Sequence, residues 1–114
     1  MSGSDEQSLR IERTSDDSAV IEGELTSENA AQFESFLRSV ETRSKTFTLD
    51  LKALDIEDGV ALAVAVNALR ELRARFSRVT VARAPQLLGH NLYRLGLLES
   101  IELVDMREDE PSGF

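Results

Sequence analysis

Four carboxylates crowd one short segment of this chain: Asp50, Asp55, Glu57 and Asp58. Clustered carboxylates can transfer protons or bind hard cations through oxygen. Acids that precede a helix also stabilise the partial positive charge of its N-terminus, and Asp58 is placed to cap the apolar segment that follows it. We interpret the group as helix-capping acids and predict no catalytic residue and no metal site here.

Other chemistry finds little support in the sequence. His90 is the one histidine, so a site that needs two histidines is excluded, and the absence of cysteine excludes disulfides and thiolate chemistry. No serine lies in a nucleophile-elbow pattern, and Gly59 is not part of a glycine-rich phosphate loop. We therefore predict a protein that is not an enzyme and holds no cofactor, with an enzyme or nucleotide-binding protein as a minor alternative.

Length limits the number of domains, and charge and hydropathy limit the kinds of partner. A chain of 114 residues is enough for one compact domain, which we place at residues 8–105, with disordered polar tails at residues 1–7 and 106–114. The net charge of −8 and the scattered 13 basic residues argue against nucleic acid as a partner. No apolar run approaches the ~20 residues of a membrane span, so we expect no direct membrane insertion and a cytoplasmic location.

Apolar periodicity predicts an α/β domain. Alternation with period 2 indicates strands near residues 9–12, 19–25, 46–51, 78–83 and 101–104, the first two as a hairpin. Helical spacing indicates one helix capped by Thr26 or Ser27, a second over residues 58–76, and a third with Pro85 in its first turn and Gly96 as the residue just beyond its end. The order is β-β-α-β-α-β-α-β, and because the strands alternate, we predict a mixed sheet with helices mainly on one face.

Helical geometry divides the second helix into two faces. The predicted core face comprises Leu62, Ala65, Val66, Leu69, Leu72 and Phe76. Val60 and Val64 then point to the solvent side, which predicts a small apolar contact surface. The alternatives are that a loop or helix covers both valines, or that they have no role. On the third helix, Leu88, Leu92 and Leu95 form the predicted stripe, while Leu87, Leu97 and Leu98 exceed it and either meet a partner or seal the domain edge.

The segment from Leu49-Asp50-Leu51 to Asp58-Gly59-Val60-Ala61, followed by an apolar helix, resembles the STAS domain, the sulfate-transporter and anti-sigma-antagonist module. Weaker matches at the expected places are Gly23-Glu24-Leu25, Pro85 and Leu95-Gly96-Leu97. The resemblance covers roughly residues 9–104. It implies a STAS-type fold, in agreement with the periodicity.

Family members of the anti-sigma-antagonist type carry a phosphate-accepting serine just inside this helix. By position, Asp58 matches the family's acid, Gly59 the first serine and Val60 the phosphate acceptor. No hydroxyl residue lies between Thr48 and Ser77, and valine cannot mimic phosphoserine because it has no charge. The resemblance therefore implies a STAS domain without the phosphoserine switch.

The resemblance implies a non-enzymatic protein–protein interaction module in bacterial signal transduction and transcription regulation, with an anti-sigma factor or kinase-like protein as partner. The alternative is a cytoplasmic STAS subunit of an ABC-type lipid transport system, whose partner would be the transporter ATPase. The predicted partner-binding residues are Glu57, Asp58, Gly59, Val60 and Val64. The sequence leaves a homodimer open.

Overall fold

A computed structural model describes residues 9–41 and 43–107 of the protein. The predicted tail at residues 1–7, and residues 108–114 of the second predicted tail, lie outside the described residues. The described part contains the strands β1 (Arg10–Ser15), β2 (Ser18–Leu25), β3 (Thr46–Asp50), β4 (Leu54–Ile56), β5 (Arg78–Ala82) and β6 (Ile101–Val104). Its α-helices are α1 (Ala30–Ser39), α2 (Gly59–Arg75) and α3 (Gln86–Arg94), and a short 3-10 helix covers Leu97–Glu99.

The strands form one mixed sheet in the order β1-β2-β3-β5-β6, with β4 paired to β2. β1 and β2 form an antiparallel hairpin, and all the other pairs are parallel. Each parallel connection to β3, β5 and β6 passes through a helix, as the strand–helix alternation in the sequence predicts. The predicted mixed α/β architecture is confirmed.

Strand β4 was not predicted from the sequence. The first half of β2 pairs with β3, and its second half pairs with β4, in the register Gly23 to Leu54. Gly23 has a φ of 121°, which a residue with a side chain adopts only under strain, and its N–H donates to Ala53 O at 3.0 Å. The glycine thus lets β2 change partners, and β4 is only three residues long, too short for periodicity to reveal.

One face of the sheet is buried under the helices, and the other is partly open. Inward residues such as Ile21, Phe47, Leu49 and Val81 are fully buried. The intervening residues of β3 are only half-buried. This alternation confirms that the helices lie mainly on one face.

The helix boundaries agree with the sequence for α2 and, within about one residue, for α3, but not for the start of α1. The predicted cap at Thr26 or Ser27 is wrong, because α1 begins at Ala30 after a turn. Asn29 is buried in that turn; its side chain accepts from Thr26 N at 2.8 Å and donates to Glu24 O at 2.8 Å. These two bonds satisfy the backbone of the loop, so the chain forms a turn there and enters the helix later.

The end of α3 also departs from the predicted stripe. Leu88 and Leu92 are buried, but Leu95 is 59% exposed because the helix ends at Arg94. Gly96 takes the left-handed conformation expected at a helix end, with a φ of 74°. The chain therefore turns before a third apolar layer of the helix can reach the core.

Candidate partner-binding site

Asp58 joins two elements at the start of α2. Its Oδ1 accepts from Ala61 N at 2.8 Å, which is the N-cap bond predicted from the sequence. Its Oδ2 accepts from Ser27 N at 3.0 Å, in the loop between β2 and α1. One carboxylate therefore fixes both the first turn of α2 and the neighbouring loop.

The same two bonds stabilise the ionised form of Asp58. The N–H of Ala61 contributes most and that of Ser27 next, so the pKa of Asp58 lies below the ordinary value for an aspartate, against a smaller opposing effect of burial. Asp58 is therefore a fixed negative charge at neutral pH with both oxygens engaged. A general acid or base would need the opposite, a pKa near neutrality.

The remaining predicted partner-binding residues surround this cap. Glu57 and Gly59 are exposed, and Val60 is 60% exposed in the first turn of α2. Val64 is different: it is half-buried and packs against the core, which corrects the expectation that it faces solvent. Val60 is therefore the apolar side chain of this group that is available for contact, and Val64 supports it from one turn below.

The position of Val64 follows from the packing of α1 on α2. Glu71 accepts from Arg38 Nε at 3.1 Å, and Arg75 Nη1 donates to Leu37 O at 2.9 Å. Positions 64, 68, 71 and 75 follow one another at helical spacing, so Val64 lies on the side of α2 that faces α1. Helix α1 thus covers Val64, whereas Val60 lies one turn nearer the N-terminal end of α2.

Asp50 and Asp55 do not join Asp58 in a common site. Asp50 forms a bidentate ion pair with Arg83, in which Nε donates to Oδ1 at 3.2 Å. Asp55 Oδ1 lies 3.4 Å from Arg107 Nη2. Within residues 9–41 and 43–107, no group of three or more acidic or histidine side chains is arranged to hold a metal ion.

Arg83 and Arg107 pair with two of the clustered carboxylates, and sequence reasoning missed both contacts. Arg83 has a φ of 56°, and its hydrogen bonds to Asp50 raise the pKa of its guanidinium. Arg107 donates to the carbonyls of Leu51 and Lys52, in the loop that leads to the cap. No signal in the sequence indicated these contacts, because each partner lies more than 30 positions away along the chain.

Two further findings bear on the class of the protein. His90 is exposed on α3. Within the part of the chain that the structure describes, no helix has the length and apolar character needed to cross a bilayer.

Comparison with known proteins agrees with this geometry. The profile of the STAS domain family matches residues 11–110. No curated protein sequence matches significantly. Among solved structures, the chain is similar to SpoIIAA, a cell fate determinant of Bacillus, in its phosphorylated form, with a TM-score of 0.60 and 17% identity over 83% of this chain and 89% of that one. That likeness shows the shared fold, and the profile match shows the family: the chain belongs to the STAS domain family.

Proposed function

We propose that this protein is a non-enzymatic protein–protein interaction module of bacterial regulation, similar to an anti-sigma factor antagonist, that docks on its partner through the cap of α2. The docking spot comprises Glu57, Asp58, Gly59 and Val60, supported by Val64. The observation that carries the proposal is the 60% exposure of Val60 on a first turn that Asp58 fixes in place. An exposed apolar side chain on a rigid support needs little reordering to bind a partner.

The surroundings of Val60 indicate the chemistry of the partner. Glu57 and Glu28 are exposed on the two segments that Asp58 joins, and Asp58 itself is ionised. An apolar contact with an acidic rim favours a partner surface with an apolar centre and basic side chains around it. An anti-sigma factor or a related kinase-like protein in the cytoplasm is the partner that the family suggests.

We further propose that this module works without a phosphoserine switch at the cap. Phosphorylation at a helix N-terminus adds a charge of about −1.5 to −2 and blocks an apolar contact. Residues 49–76 contain no serine, threonine or tyrosine, so no side chain there can accept phosphate from a serine, threonine or tyrosine kinase. Docking at this spot is then constitutive, and its occupancy follows the concentrations of the two proteins.

Quantitative affinity purification tests the proposal. The wild-type protein and Val60→Glu serve as baits in parallel, with Tyr93→Glu as a control variant, because Tyr93 is also highly exposed but lies on α3. We expect an anti-sigma factor or kinase-like protein to bind the wild type and Tyr93→Glu and to be lost from Val60→Glu. Recovery of a transporter ATPase would favour the alternative role, and equal recovery of the partner with Val60→Glu would reject the docking spot.

A further inference from the structure

The chain changes direction directly after strand β6. Asp105 takes the left-handed conformation there, with a φ of 51°, which aspartate adopts more readily than most residues with a side chain. The next two residues, Met106 and Arg107, are partly buried although they belong to no helix or strand. We call residues 105–107 the strap. Because its backbone is irregular, the contacts of its side chains hold the strap on the domain.

Two contacts join the strap to helix α3. Met106 packs against the core and lies so close to Gly89 that a Cβ atom on this glycine would come within 2.8 Å of Met106 Cε. The absence of a side chain on Gly89 therefore makes room for Met106. At the first residue of α3, Gln86 Nε2 donates to Arg107 O. These contacts place the backbone of Arg107 beside the start of α3.

The side chain of Arg107 extends from the strap to the turn between β3 and β4. Its Nη1 donates to Lys52 O and, at 3.4 Å, to Leu51 O. Its Nη2 donates to Asp55 Oδ1, also at 3.4 Å. The side chain of Arg107 is only 17% exposed, so water screens these charge-assisted bonds weakly. One guanidinium thus joins the residues before the turn to the strand that follows it.

Strand β4 has little other support. It is three residues long, and β2 is the only strand of the described chain that pairs with it. The flanking bonds to β2 run from Gly23 N to Ala53 O, at 3.0 Å, and from Glu57 N to Leu25 O, at 2.9 Å. Segments with few neighbours open locally without global unfolding. Opening of residues 51–57 would separate Glu57 from β2 and disturb the adjacent docking spot.

We propose that Arg107 is a positioning residue for the docking spot: its guanidinium closes the turn between β3 and β4, keeps β4 on β2 and so fixes Glu57 and Asp58 before the partner binds. This role rests on the proposed function, because it concerns the same docking spot. A partner that meets a closed turn does not have to order it, so less entropy is lost on binding. Through Met106 and Gln86, the strap also ties the docking spot to α3.

Amide hydrogen exchange tests the effect on β4 without a partner. The wild type is compared with Arg107→Gln, which removes the charge, and with Arg94→Gln as a matched control, because Arg94 is exposed and no carboxylate of the described residues forms an ion pair with it. We expect the amides of Gly23 and Glu57 to exchange roughly tenfold faster in Arg107→Gln, since hydrogen bonds from a charged donor are stronger than neutral ones. The amides of the central strand β5 should change less, and Arg94→Gln should behave as the wild type.

Isothermal titration calorimetry tests the effect on docking, with the anti-sigma factor or kinase-like protein that the wild type captures. Arg107→Gln should raise the dissociation constant roughly threefold or more, because the partner must then order the turn. Arg107→Lys retains a cation that can reach a carbonyl of the turn, so it should recover part of this loss. Arg94→Gln should bind as the wild type does, and circular dichroism shows that each variant remains folded.

The positioning role is overturned if exchange at Glu57 is unchanged in Arg107→Gln, or if it rises only as much as exchange in β5, which would show a general loss of stability. It is also overturned if Arg107→Lys recovers none of the lost affinity, or if Arg107→Gln binds as the wild type does while Val60→Glu loses the partner. Equal binding by Val60→Glu and the wild type would instead reject the docking spot itself, and the positioning role with it. The Val60→Glu variant therefore distinguishes the two failures.

Discussion

Because Val60 is exposed and Val64 is half-buried, replacing each with glutamate should have very different effects on the free energy of unfolding. Both valines lie on α2, one turn apart, so helix position is nearly matched. Val60 is 60% exposed, and burial of the remaining two fifths of a valine side chain contributes roughly 0.6 kcal/mol. In Val60→Glu this loss is offset by the better helix propensity of glutamate and by the helix dipole, and is increased by repulsion from Glu57 and Asp58.

These effects nearly cancel, so Val60→Glu should change the free energy of unfolding by no more than about 0.5 kcal/mol. Val64→Glu should be much more costly, because it places a carboxylate against the core between α1 and α2. Leaving a charged group partly buried without a partner costs roughly 1–3 kcal/mol.

Urea denaturation followed by circular dichroism measures both changes. With a slope of about 1–3 kcal/mol per M for a small domain, Val60→Glu should move the midpoint by a few tenths of a molar unit at most, and Val64→Glu should lower it by roughly 1 M. If Val60→Glu destabilised the protein as much as Val64→Glu, Val60 would belong to the core, and the docking spot would lose its apolar contact.

Three further predictions concern the cap residue Asp58, the last residue of α2, Arg75, and the segment of residues 49–76. The pKa of Asp58 is lower in the folded state than the unfolded value, near 3.9, so ionised Asp58 stabilises the fold above that pH, and this contribution is lost as the pH falls through the lower folded pKa. The difference in the free energy of unfolding between the wild type and Asp58→Asn should therefore be constant near neutral pH and shrink below about pH 4. Parallel denaturation series of the two proteins measure this difference. Arg75→Met removes the donors to Leu37 O and Val40 O at the end of α1, so it should lower the free energy of unfolding by about 1–2 kcal/mol, and an unchanged thermal midpoint would show that water replaces both bonds. Incubation with ATP and a kinase that phosphorylates STAS domains should leave residues 49–76 unmodified in peptide mass mapping. A family member that keeps the serine is the positive control. Phosphate on this segment would contradict the assignment of Val60 to the acceptor position.

The sequence predicted the elements that have strong periodicity and clear end signals. Helix α2 was placed over residues 58–76 and is observed at Gly59–Arg75, because Asp58 caps it and no breaker interrupts it. The alternation of β2, β3 and β5 gave the buried face correctly. For the candidate site, the exposure of Val60 and the cap bond of Asp58 were both predictable, since each depends only on the local helix.

What the sequence did not predict depends on contacts between distant segments. The bond from Ser27 N to Asp58 and the pairing of Gly23 with Leu54 require β2 and β4 to lie side by side, with the segments that follow these two strands in contact. Val64 was misplaced because the helical pattern of α2 alone does not show which part of its outer face α1 covers. The ion pair of Asp50 with Arg83 was missed for the same reason, although Asp50 is the last residue of β3 and Arg83 directly follows the neighbouring strand β5.

The most direct test of the central claim is the affinity of the captured anti-sigma factor or kinase-like protein for the wild-type chain and for Val60→Glu, measured by isothermal titration calorimetry on folded samples. Truncation or reversal of a central interface contact typically costs more than 1–2 kcal/mol, so we expect roughly a tenfold or larger rise in the dissociation constant for Val60→Glu and no change for Tyr93→Glu. Equal affinity of Val60→Glu and the wild type, with both proteins fully folded, would contradict the claim that this STAS domain docks through the cap of α2.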